Sequence, residues 1–183
     1  MTNVLFKIVL STLWIVISCK REDAYKNKIN ALTTSMAQQQ FLEKLWENDQ
    51  EIRDRKTEIQ SRNSSNLTTQ KKINEEMRAG DDSRLQQLEY YLSVHGHPQI
   101  GLHGKKAAMT PWLLVHHSGT LEARERNFDY LYKAYIQGDL SESQFSLYLY
   151  RWHHYRFGKG YRHKAGSAPE AERIGCMMEA LNL

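Results

Sequence analysis

Pro111 stands inside the longest uncharged apolar run beyond the first residues of the chain, AAMTPWLLV at 107–115. In a helix interior a proline costs about 3 kcal/mol or more, through a lost hydrogen bond and a ring clash. In the first turn it costs little, because those amides have no intrahelical acceptor. The helix carrying this run is therefore expected to begin between Lys105 and Ala108, or with Thr110 as its cap. It should continue through Trp112, Leu114 and Val115 to His117, where Ser118 and Gly119 end it. The run lies within His95–Gly119, which holds five of the eight histidines and two of the three prolines. The segments before it read as helices approaching it, and those after it as helices packing back. Histidines in its last turn would sit at the negative end of the helix dipole, which favours their charged form.

The flanking segments show helical periodicity throughout and no alternating strand pattern. Leu42, Leu45, Ile52 and Ile59 recur at three- and four-residue steps, and Asp49 falls on the same stripe with Arg53 one turn later. An acid on a core-facing stripe needs a partner, so a polar cluster around Asp49 is expected. SRNSSNLTT at 61–69 reads as a loop, followed by a short helix over Gln70–Arg78 that Gly80 stops. Asp81 or Asp82 would then cap a helix carrying Leu85, Leu88 and Leu92. A helix over Leu121–Gln137 buries Leu121, Phe128, Leu131, Tyr132 and Tyr135. The next is opened by Ser141 and Gln144 as a capping box, with Leu140 stapled to Phe145. It carries Phe145, Tyr148, Leu149, Trp152 and Tyr155 and fades at Gly158. After a Gly/Ala/Ser/Pro loop, Ala171–Ala180 forms a terminal helix with Ile174, Met177 and Met178 on one face. The fold is expected to be all-α.

The first residues differ from the rest. Lys7 precedes an apolar stretch over 8–17, and Ser18 precedes Cys19, the layout of a secretory signal. Ten residues are too few to cross a bilayer core, which takes about 20. Val-Ile-Ser-Cys resembles a loose lipobox of bacterial lipoproteins. That resemblance implies cleavage before Cys19, acylation there (palmitate among the acyl groups) and attachment to the membrane. The Lys-Arg-Glu-Asp that follows resembles the charged tags of surface lipoproteins. Cys176 is then left as a free thiol with no disulfide partner. The implied location is the bacterial cell envelope, on the outer membrane, at its periplasmic or surface face. The organisation is a signal peptide over 1–18, a polar lipid-anchored tether over 19–35, a domain of five to six helices over 36–160, and a C-terminal loop and short helix over 161–183.

Loss of residues 1–18 removes only Lys7 and lowers the net charge from +4 to +3. A pI near 9.0 invites a nucleic-acid partner. The basic residues alternate with acids along the helices, however, as in EKLWENDQEIRDRKTE, and form no single-signed block. No nucleic acid is expected as a partner.

The motifs Asp49-Gln50-x-x-Arg53, Gly96-His97-Pro98, Gly104 with Ala107 and Ala108, and Trp112 to His117 together resemble the bacterial domain of unknown function 6624. This covers roughly residues 41–160. The resemblance implies a helical, often exported protein with candidate positions at Asp49, Gln50, Arg53, His97, His117 and Arg151, and no assigned reaction. Tyr150 stands where the family's second motif has Asp, and its closing Gln-x-Tyr-Gly is absent.

The chemistry open to these residues is narrow. His116 and His117 are adjacent, as are His153 and His154, and no His-Glu-x-x-His or paired Cys-x-x-Cys marks a zinc site. No metal or cofactor is expected, although a set drawn from Asp49, His97 and His117 is conceivable. Asp49 and His117 are the candidates for acid–base chemistry. Ser118 lacks a nucleophile-elbow frame. The helix ending at Phe157 carries Tyr, Trp and Arg on several faces, a composition suited to a protein or saccharide partner. The favoured reading is a binding or structural module with a polar Asp49/Arg53/His117 cluster. The alternative is a small metal-dependent or acid–base hydrolase using the same cluster.

Overall fold

Apolar side chains at helical spacing leave each segment one face to bury, and the chain answers by packing helix on helix. The computed structural model describes residues 22–62, 66–162 and 169–183. They form seven helices: α1 over 22–30, α2 over Ser35–Arg62, α3 over Leu67–His95, α4 over Ile100–His117, α5 over Leu121–Ile136, α6 over Glu142–Phe157 and α7 over Glu170–Leu181. No strand occurs among the described residues. The expected signal peptide and Cys19 lie outside them, as does most of the loop before α7. No helix among them is long and apolar enough to cross a membrane.

α2 lies against α3 and α4, α4 also touches α5 and α6, and α6 packs on α5 and α7. The core draws Phe41, Leu42 and Leu45 from α2, Leu85, Leu88 and Leu92 from α3, and Leu114 and Val115 from α4. Leu131 of α5, Phe145, Tyr148, Leu149 and Trp152 of α6, and Ile174, Met177 and Leu181 of α7 complete it. The capping box at Ser141 and Gln144 forms as expected, and Leu140 and Phe145 are both buried. α5 starts at a Thr120 cap, and Gly138 (φ 81°) turns the chain after it. α7 begins one residue before the expected start and ends one after.

Three expectations change. Residues 22–30, read as tether, form a helix whose Ile29 is fully buried, and Asn30 accepts a hydrogen bond from the Tyr90 hydroxyl at 3.0 Å. α3 runs unbroken through Gly80, where a stop was expected. A helical glycine costs only about 1 kcal/mol, and here its bare Cα makes room for the Arg84 side chain, since a Cβ would sit 2.9 Å from Nη1. Asp81 is therefore inside a helix and caps nothing.

The third change concerns α4. It begins at Ile100 and kinks at Gly104, whose φ 77° and ψ 162° are open to glycine and to little else. Helix resumes at Lys105, as expected, so Pro111 falls in the second turn rather than the first. Thr110 is not a cap: it is buried, and its hydroxyl donates to the Lys106 carbonyl at 3.0 Å and lies 3.3 Å from that of Leu42.

Gly104→Ala should lower the unfolding free energy by about 1–3 kcal/mol, the cost of forcing a side chain into that backbone region. Gly119→Ala, with open space around its Cβ position and no positive φ, should stay within about 0.5 kcal/mol of the parent. Urea unfolding of the two variants compares them directly.

Candidate functional site

Asp49 follows Leu42 and Leu45 on the buried face of α2, so its carboxylate enters the core, where it has no exposed surface. A buried carboxylate must be paired, and the helix supplies part of the answer. Arg53, one turn on, donates Nη2 to Oδ1 at 3.0 Å and Nε to Oδ2 at 3.1 Å. Gln50 donates its amide to Oδ2 at 2.8 Å. The C-terminal end of α4 brings the His117 ring, with Nδ1 2.9 Å from Oδ2. Burial pushes the Asp49 carboxyl up, but the hydrogen bonds and charges of His117 and Arg53 outweigh it and hold the group at about 2. The expected meeting of Asp49, Arg53 and His117 is thus present, and Gln50, a candidate position outside that cluster, joins it.

His117 Nδ1 also lies 2.9 Å from Arg53 Nε. One ring nitrogen cannot donate to the carboxylate and accept from the guanidinium together. The buried negative charge favours Nδ1–H donating to Asp49, which leaves Nε2 outside the network, an acceptor only in the neutral ring. Nε2 has no hydrogen-bond partner among the described residues, and the side chain is one-fifth exposed.

Two members were missed by the sequence reading. Arg53 Nη2 also donates to Asp81 Oδ1 at 2.9 Å, and Arg84 Nη2 donates to the same oxygen at 2.7 Å while standing 3.8 Å from Asp49. The signal for Arg84 was available: it shares the 84/88/92 stripe with Leu88 and Leu92, as Asp49 shares one with Leu42 and Leu45. The network thus couples two carboxylates to two guanidiniums across α2 and α3, with His117 binding α4 to them.

The other candidates lie elsewhere. Arg151 donates to the His116 carbonyl at 2.6 Å and makes no bond to Asp49. His97 donates Nδ1 to the Pro98 carbonyl at 2.8 Å, and its Nε2 is buried without a partner among the described residues. Among the described residues no three His, Cys, Asp or Glu side chains are grouped to hold a metal ion, so Asp49, His97 and His117 do not form a ligand set. His95 donates to the Ile29 carbonyl at 2.9 Å, and His103 donates to Gln38 Oε1 at 2.9 Å, joining the starts of α2 and α4.

The expectation of a charged histidine at the end of α4 fails for His116. Burial above all, and then the charges of Arg151, His117, Arg124 and Arg53, lower it to about 4. Three arginines on other elements thus act in the same direction as burial at this helix end, against the dipole. His97 is likewise held at about 4, by burial against the opposing pull of Pro98 and Asp139.

Comparison with known proteins finds no match for the chain: no family model, no curated protein and no solved structure resembles it.

Stability should fall with acid in two stages. Because His97 and His116 titrate near 4 when folded and near 6.5 when unfolded, the unfolded chain takes up more protons between those values. Their contribution is intact above about 6.5 and is lost as pH drops toward 4. Asp49, depressed to about 2, contributes above its ordinary value of 3.8 and loses that contribution between there and 2. That second stage is worth about 2 kcal/mol. Denaturant unfolding from pH 7 to 2 should show both stages, with Asp49→Asn removing the lower one and the double variant His97→Gln, His116→Gln the upper.

Proposed function

We propose that this protein is a lipid-anchored module of the bacterial cell envelope that serves binding or structure, attached through Cys19. In this reading the network around Asp49 is a fastening between α2, α3 and α4, and α6 meets a protein or saccharide partner. The observation that carries it is the complete burial of the Asp49 carboxylate, with every close contact a donor of the same chain. A carboxylate so enclosed has no room for substrate, whereas α6 leaves Tyr150, Tyr155 and Phe157 substantially exposed. Membership of the domain of unknown function 6624 is part of the same proposal and rests on the motifs that include Asp49, Arg53 and His117.

One observation favours acid–base hydrolysis as a second reading. His117 is oriented by a carboxylate at Nδ1 and keeps Nε2 unengaged, the arrangement of a general base. It has neither a serine nor a cysteine nucleophile within its described hydrogen bonds, so water would be the attacking group.

Expressed with its full sequence in a bacterium that processes lipoproteins, the chain should carry acyl groups on Cys19 after loss of residues 1–18. Cys19→Ala should leave it unacylated, as intact mass and palmitate labelling would report; an unmodified Cys19 in the parent would remove the anchor. Asp49→Ala should lower the unfolding free energy by about 3–5 kcal/mol, as expected for a buried ion pair with one partner removed. A His117→Ala variant of unchanged stability that loses a hydrolytic activity of the parent would instead establish the second reading.

A further inference from the structure

Two guanidinium groups meet at the C-terminal end of α4, with no carboxylate of the described residues bonded to them. Arg124 of α5 is wholly buried, and it donates to the carbonyls of Thr120, Ser118 and His116, the last two at 3.0 and 3.3 Å. Arg151 of α6 donates Nη1 to the same His116 carbonyl, while its Nε and Nη2 have no partner among the described residues. Neither arginine forms a salt bridge among those residues. The end of a helix supplies about half an elementary negative charge, which offsets only part of two full positive ones. The Asp49 network a few residues away balances two acids against two arginines, so the excess belongs to this second cluster.

The excess charge opens onto the surface. The Arg124 guanidinium lies over the Tyr155 ring, 4.1 Å from its centroid. Tyr155, Tyr150, Arg151 and His154 line an open hollow of about 570 Å³. Both tyrosines are about two-fifths exposed, at 42% for Tyr150 and 41% for Tyr155. The hollow therefore joins a cation with free donors to aromatic rings and a histidine. Its volume is in the range of small-ligand sites. An anionic group would find the fork of Arg151, while the flat face of a sugar ring would lie on tyrosine and its hydroxyls would meet His154. An open floor of this kind suits a hydrated ring better than a lipid tail, which needs a deep apolar channel.

We propose that this hollow binds an acidic saccharide, with Arg151 taking the carboxylate and Tyr150 and Tyr155 the ring. The proposal deepens the reading of α6 as a partner face and rests on it. Calorimetric titration of the full-length protein in detergent would use a six-sugar oligomer alternating glucuronate and N-acetylglucosamine. A neutral N-acetylglucosamine oligomer of equal length is the control. The acidic oligomer should bind at least about tenfold more tightly, as loss of a charge-assisted hydrogen bond implies, and its affinity should fall with rising salt. Arg151→Gln should lose about the same factor while keeping the helical circular dichroism of the parent, and Tyr150→Ala should weaken binding even if Arg151→Gln fails to fold. Equal affinity for the two oligomers, binding of neither, or an unaltered affinity in folded Arg151→Gln overturns the assignment. Such a result leaves acylation of Cys19 and the Asp49 fastening untouched, since those are read by mass and by unfolding.

Discussion

The structure depends on placing one negative charge where water cannot reach it. Removing a carboxylate from water costs several kcal/mol even after the protein relaxes, so Asp49 is admissible only while its donors stay in place. Arg53 comes from the same helix and is available as soon as α2 forms. His117 comes from the far end of a different helix and Arg84 from a third, and both must arrive in register before the charge is compensated. A one-residue slip of α4 along α2 would swing the imidazole about 100° around its helix axis. The carboxylate thus penalises misaligned packings more than it rewards the correct one.

The same logic explains the other polar residues of the interior. Gln38 donates to the Leu32 carbonyl at 3.0 Å and accepts from His103 and, at 3.3 Å, from the Tyr91 hydroxyl, so one amide ties the entry of α2 to α3 and α4. Arg124 donates to the His116 and Ser118 carbonyls, which the end of α4 and the following turn leave open, a task that water performs at an exposed helix end. Each of these groups sits where two or three helices converge, and the apolar residues fill the space between.

What could be read from the sequence followed the range of the interaction. Asp49 announced itself as an acid on an apolar stripe, Arg53 by its four-residue spacing, and the capping box at Ser141 by its local pattern. These are signals contained within one helix. Asp81 was misread because its neighbour Gly80 looked like a stop, whereas its bare Cα makes room for the Arg84 side chain, a matter of side-chain packing. Arg124 lies on the 121/124/128/131 stripe, yet it entered no expectation. The low affinity of His116 for protons arises from its burial and then from arginines on α2, α5 and α6, neither of which any pattern along the chain records. The left-handed bend at Gly104 and the burial of Ile29 were likewise hidden, since both are set by what α1 and α4 meet in space.

Beyond the root of the network, α2 and α3 continue side by side with little between them. Among the described residues from 50 to 80 only Ile73 is buried, and the pair is crossed by the exposed Arg55–Glu76 bridge at 2.7 Å. Exposed ion pairs contribute at most about 1 kcal/mol, so this outer hairpin is held chiefly by its own helical bonds. It is therefore the region where amide protons should exchange earliest, by opening from the loop inward without disturbing the bundle. Such opening halts where Arg53 and Asp81 join α2 to α3, because separating them there would expose Asp49 as well. The charged cluster thereby sets the boundary between a segment that breathes and a body that melts as a unit.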